Sequence, residues 1–168
     1  MAATLTKTMK NAAPADKQHH ENAALLAAIG KAQAVIEFTM DGTIVAANEN
    51  FLNAVGYSLD EIRGRHHGMF VEDAYRNSGE YRDFWARLNR GENLPGEYRR
   101  VGKGGKLVVI QASYNPIADK SGKLVKVVKF ASDVTEMAFA RTEASATSSR
   151  RGRSARPTSR PSRRAAAS

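Results

Sequence analysis

"AVIEFTMDGTIVAANENF", residues 34–51, holds two runs rich in β-branched and aromatic residues on either side of Asp41-Gly42. An Asp-Gly pair accepts the positive φ angles of a tight turn, so the stretch predicts a hairpin of two antiparallel strands. Asn48 follows directly. Its side chain can accept an orphan backbone N–H, which predicts a helix through Phe51, Leu52 and Val55 that stops at Gly56.

Further along, "SLDEIRG" (58–64) places Ser58 and Glu61 at capping-box spacing, with Gly64 as a stop. "NSGEYRDFWARLNRGE" (77–92) predicts a longer helix, because Tyr81, Phe84, Trp85 and Leu88 recur at i, i+3, i+4 and i+7. Gly91 ends it. Three strands then follow. "GEYRRV" (96–101) turns through "GKGG" into "KLVVIQASYNPI" (106–117), and "ADKSG" turns into "KLVKVVKFASDV" (123–134). In the middle strand Val108, Ile110, Ala112 and Tyr114 alternate with Val109, Gln111 and Ser113, as in a half-buried antiparallel strand. Two strands, several helices and three strands predict an α+β fold: a five-stranded antiparallel sheet with its helices on one face.

The flanks differ from this core. "ENAALLAAIGKA" (21–32) predicts a short helix ending near Gly30. Residues 1–22 are expected to be a disordered leader, 23–137 the folded domain, and 138–168 a disordered tail rich in Arg and Ser. That tail has too few large apolar side chains to offset its ordering entropy. It also carries the charge. The chain has a net charge of +9, and residues 150–168 hold seven arginines and no acid. Residues 1–149 hold 19 basic and 17 acidic side chains, so the folded part is nearly neutral. Cysteine is absent, which excludes disulfides, thiolate metal sites and a Cys nucleophile. No apolar run approaches the ~20 residues of a membrane span. The expected location is cytoplasmic, with no membrane partner.

Catalysis finds no support. Ser113, His66, His67, Asp60 and Asp73 form no nucleophile elbow or general-base pair. "GKGGK" lacks the spacing and the hydroxyl residue of a phosphate loop, and a hairpin turn accounts for its glycines. "GRHHGMF" (64–70) is the segment with chemical potential. A His pair followed by Glu72 and Asp73 suits a divalent metal poorly, because adjacent histidines point apart on most backbones. The pair either shapes a turn or holds a ligand beside Met69. Trp85, with Tyr81 and Phe84, either lines a pocket or simply packs the core.

Taken together, "VIEFTMDGTIVAANENFL", "GYSLDEIRGRHH", "FWARLNRGE", "KGGKLVVIQASYNPI" and the closing "DVTE" resemble the PAS domain family over about residues 32–136. They look most like the cytoplasmic PAS modules of bacterial methyl-accepting chemotaxis receptors of the aerotaxis kind. "AAIGKAQAVIEF" (27–38) is similar to the connector between successive modules. The resemblance implies a non-enzymatic sensory module that acts through a PAS homodimer or a chemoreceptor partner. Asp133 and Thr135 are then the signal-coupling candidates, and the alternative is that Asp133 only caps a helix.

The resemblance also implies two cofactors, haem or flavin (FAD), with no cofactor as the third possibility. Flavin-binding aerotaxis domains carry an Arg-His pair followed by Met, matched here by Arg65, His66 and Met69. His67, Gly68 and Leu94 depart from that pattern. Haem-binding members take an axial His from this region, so His66 or His67 is the candidate ligand. They also tend to carry a Trp on the last strand, and "KVVKFAS" has none. The likeness stops near residue 140, where a receptor would continue into a coiled coil. The Arg-only tail therefore suggests a truncated or frame-shifted receptor. The competing class is a nucleic-acid or anionic-surface binder acting non-specifically through those arginines.

Overall fold

A computed structural model describes residues 14–154 of the chain. Its described residues up to Asp133 form one compact unit, and those from Val134 form another.

The first unit opens with helix α1 (Pro14–Ala32). Proline fits the first helical position, where its missing N–H would be unpaired anyway. Residues 14–22 are therefore helical rather than part of a disordered leader, and α1 runs through Gly30 to Ala32. Strands β1 (Ala34–Phe38) and β2 (Ile44–Ala47) pair antiparallel across the expected Asp41-Gly42 turn, with Gly42 at φ +88°. Thr39 and Asp41 brace the turn, since the Thr43 N–H donates to both side chains at 3.1 Å.

Asn48 then does more than cap a helix. Its Oδ1 accepts from Phe51 N–H at 3.0 Å, starting α2 (Glu49–Val55), and also from Val35 N–H at 2.9 Å in β1. Its Nδ2 donates to the Gly30 and Gln33 carbonyls, both at 2.8 Å. One side chain thus joins the end of α1, the start of β1 and the start of α2. Gly56, at φ +77°, closes α2 in the left-handed conformation as expected. Ser58 and Glu61 form the capping box of α3 (Leu59–Ile62). A 3-10 turn (His67–Phe70), α4 (Asp73–Arg76) and α5 (Gly79–Asn89) follow. Ser78 caps α5 by accepting from Tyr81 N–H at 3.1 Å.

Strands β3 (Leu94–Val101), β4 (Leu107–Ala118) and β5 (Leu124–Asp133) complete the sheet, whose order is β2-β1-β5-β4-β3 with every pairing antiparallel. The last strand therefore lies in the middle. The core gathers Ile36 and Phe38 of β1, Phe51 and Val55 of α2, Phe84 and Leu88 of α5, and Val108, Ile110, Ala112 and Tyr114 of β4. Val109, expected on the outer face, is buried as well.

The second unit contains α6 (Thr135–Ser154). Residues 138–154 are thus helical, against the expectation of a disordered tail. The expectation weighed burial, but Ala, Glu and Arg favour a helix intrinsically. Most of the arginine-rich stretch, residues 155–168, lies outside the described residues. Among the described residues no helix is long and apolar enough to cross a membrane.

Candidate functional site

The segment 64–67 is held along the hairpin by backbone hydrogen bonds. Gly64 N–H donates to Ile44 O at 2.9 Å, Ile44 N–H to Arg65 O at 2.8 Å, and His67 N–H to Gly42 O at 2.8 Å. Backbone near φ −85°, ψ 146° at His66 is extended, and neighbouring side chains on extended backbone point to opposite sides. One imidazole therefore faces out and the other in.

His66 is the outer one. Its Nε2–H donates to Asp41 O at 2.9 Å, and its Nδ1 accepts from Gly68 N–H at 3.0 Å. Both nitrogens serve the turn. The packing also explains Gly42. A Cβ there would stand 2.6 Å from His66 Nε2 and 2.8 Å from Trp85 Cζ2.

His67 is fully buried. Its Nδ1 lies 2.8 Å from the Tyr81 hydroxyl of α5, and its Nε2 lies 3.1 Å from the Tyr114 hydroxyl of β4. Arg100 of β3 donates from Nη2 to that same Tyr114 oxygen at 3.0 Å. Tyr114 is fully buried and its proton has no other acceptor among the described residues, which assigns His67 Nε2 as the acceptor and Nδ1–H as the donor to Tyr81. This assignment gives a directed chain, Arg100 to Tyr114 to His67 to Tyr81. Phe38 meets the His67 ring edge-on at 5.3 Å, Trp85 does so at 5.5 Å, and Phe84 stacks on it at 6.0 Å. Burial pushes the His67 imidazole well below its ordinary pKa, and the nearby positive charges of Arg100 and Lys129 push it the same way. It is therefore neutral. Burial raises the Tyr114 hydroxyl.

The sequence-derived candidates separate into groups. His66, His67 and Trp85 come together, with Trp85 also 5.9 Å from His66. The buried Trp85 indole N–H has no hydrogen-bond partner among the described residues. Met69 is half-buried against the core, and Arg65 is exposed. Asp133 ends β5 opposite Ile110, and Thr135 begins α6. Sequence reasoning passed over two residues, Arg100 and Lys129, which are the buried charged partners of this site. Their signal was available in the strand alternation. Leu94, Gly96, Tyr98 and Arg100 share one face of β3, and Val127, Lys129 and Ala131 share the inner face of β5.

The packing around the histidines bears on haem and flavin. Both nitrogens of both histidines are engaged, which leaves no lone pair for an axial bond. The cavity next to the cluster, between Phe51, Phe70, Arg100 and Lys129, measures about 10 Å³. Cofactors of that size require several hundred cubic ångströms. Two grooves of about 350 and 370 Å³ flank Tyr98, but neither is lined by His66, His67 or Trp85. The residues as packed do not fit either cofactor. Among the described residues no group of three His, Asp or Glu side chains gathers to hold a metal.

The profile of the PAS fold family matches residues 44–131. The biofilm dispersion protein BdlA of Pseudomonas aeruginosa is 47% identical over 135 residues, which are 79% of this chain and 32% of BdlA. The chain thus spans about a third of that relative's length. The crystal structure of a PAS domain from Colwellia psychrerythraea superimposes with a TM-score of 0.58 at 20% identity, covering 71% of this chain and 98% of that one. An RNA-binding light-oxygen-voltage receptor gives a TM-score of 0.64 at 16% identity, covering 91% and 42%. At those identities the two structures speak for the fold.

Proposed function

This chain belongs to the PAS fold family, and on that premise we propose that it is a sensory signal-transduction module of the bacterial chemoreceptor type. It acts without catalysis, through contact with a second protomer or a receptor partner. The observation that carries the reading is the buried chain from Arg100 through Tyr114 and His67 to Tyr81. It ties α5 to the sheet strand β4, β4 pairs with β5, and β5 leads at Asp133 into the helix that starts at Thr135. A disturbance among the helices is thereby passed to the strand that becomes the output helix, with Asp133 and Thr135 as the coupling residues. The likeness to the biofilm dispersion protein BdlA supports a role in release from biofilm.

The test is genetic. The coding sequence is deleted from its host and restored as wild type, Asp133→Ala or Thr135→Ala, with swimming tracks and biofilm release as readouts. The reading expects a phenotype on deletion that wild type rescues and the coupling variants do not, although both variants fold. Unchanged behaviour on deletion would overturn it.

A further inference from the structure

The described residues bury three basic side chains, His67, Arg100 and Lys129, and no carboxylate. His67 is neutral, so Arg100 and Lys129 are the side chains that can carry charge in the interior. Lys129 is 1% exposed, and its Nζ sits 5.1 Å from the ring centroids of both Phe51 and Tyr114. Tyr114 is its register partner across the β4–β5 pairing. Arg100 is 4% exposed. It satisfies Nη1 on Arg99 O and Nη2 on the Tyr114 hydroxyl, but its Nε is buried with no partner. Neither cation has an ion pair among the described residues.

Aromatic faces attract cations but do not replace the lost hydration of a buried ammonium. Two like charges gathered on one tyrosine ring also repel each other. Such an arrangement persists when Lys129 gives up its proton or when an anion joins it. Burial and Arg100 do draw the Lys129 pKa down, and no acid acts on it in the opposite direction. The geometry adds a place for an anion. Arg100 and Lys129 both line the same small cavity, whose wall is otherwise apolar apart from Asp133 at its exposed rim. At about 10 Å³ it has room for one body the size of a water molecule.

We infer that this cavity is a binding site for one monatomic anion of halide size, held between Lys129 Nζ and the unpartnered Arg100 Nε. The anion completes the two charges that the fold itself leaves without a counter-ion. The inference stands on the packing and is independent of the signalling reading.

The experiment follows thermal unfolding of the full chain in sodium chloride, sodium formate and sodium gluconate at matched ionic strength. Gluconate is too large for the cavity and controls for screening. Chloride should raise the melting midpoint by roughly 5 °C for each tenfold increase beyond the dissociation constant, and formate and gluconate, both larger than the cavity, should not. Lys129→Met should abolish the dependence, and Arg100→Met serves the same purpose if the first variant does not fold. Crystals soaked in bromide should show anomalous scattering beside Lys129 Nζ. Equal effects of all three salts, no effect of any, or full retention in the Met variants would each overturn the site.

Discussion

The Nε2 of His67 lies 3.1 Å from the Tyr114 hydroxyl, although 47 residues of chain separate them. The contact closes a polar thread through an otherwise aromatic core. Removing the Tyr114 hydroxyl strands Arg100 Nη2 and His67 Nε2 together, so Tyr114→Phe is expected to cost about 2–3 kcal/mol. Tyr81→Phe removes one end of the thread and is expected to cost about 1 kcal/mol. Because His67 links the two tyrosines, the double variant should deviate from additivity by at least about 0.5 kcal/mol. Urea unfolding of the four proteins measures the cycle. Strict additivity would mean that the two hydrogen bonds act independently.

Stability should rise with pH below neutrality. Folded His67 is held well below its ordinary value of 6.5, so the unfolded chain binds a proton that the native state refuses. Between the depressed native pKa and 6.5, each unit of acidification therefore removes up to about 1.4 kcal/mol. The Glu61 carboxylate is lowered from 4.5 to about 2 by its hydrogen bond from Lys103, so its window lies below pH 5. Lys129 is also depressed by burial, and it extends the rise toward alkaline pH. Urea midpoints from pH 5 to 8 should climb in wild type and flatten in His67→Phe. An equal slope in both would place the effect in another group.

Asn48→Ala should cost more than the loss of a helix cap. A cap alone is worth about 1 kcal/mol. Here the same amide also accepts from Val35 N–H and donates to two carbonyls at the end of α1. A loss of about 2–3 kcal/mol is expected from the added bonds. Asn48→Asp keeps the acceptors and loses the donors, so it should fall between the two. Hydrogen exchange should show the extra protection lost at Val35 as well as at Phe51.

Haemin and flavin should fail to reconstitute. The imidazole nitrogens are occupied, and the cavity beside them is tens of times smaller than a cofactor requires. Visible spectra after incubation should show no Soret band and no retained flavin after gel filtration. A Soret band lost in His67→Ala would show that the core opens to admit a ligand.

Local rules carried most of the fold. The Asp41-Gly42 turn, the Asn48 cap, the Gly56 stop and the Ser58–Glu61 capping box each depend on residues within a few positions of one another, and all stand in the structure. The site was less legible. That His66 and His67 face opposite ways follows from extended backbone, but which one faces inward depends on how the segment lies along the hairpin. Arg100 and Lys129 went unread because charged side chains default to solvent, while their positions in the alternation pointed inward. Tyr114 was placed by the alternation on one face of the middle strand with Val108, Ile110 and Ala112. Its bond to His67 joins segments whose adjacency only the assembled sheet creates.

The sheet order carries a consequence for synthesis of the protein. Strand β5, the last to be made, occupies the centre and pairs with β1 on one side and β4 on the other. Until residues 124–133 leave the ribosome, the nascent chain can form the β1–β2 hairpin and the β3–β4 hairpin, but no strand pairing joins them. Ala34 finds its partner only at Ala131. The inner edges of both hairpins stay open throughout, with Phe38 and Tyr114 beside them. Open strand edges of this kind template aggregation, and pairings so distant in sequence form slowly. A ribosome that stalls after β4 thus releases two unjoined sheets, whereas one that completes ten more strand residues releases a closed fold.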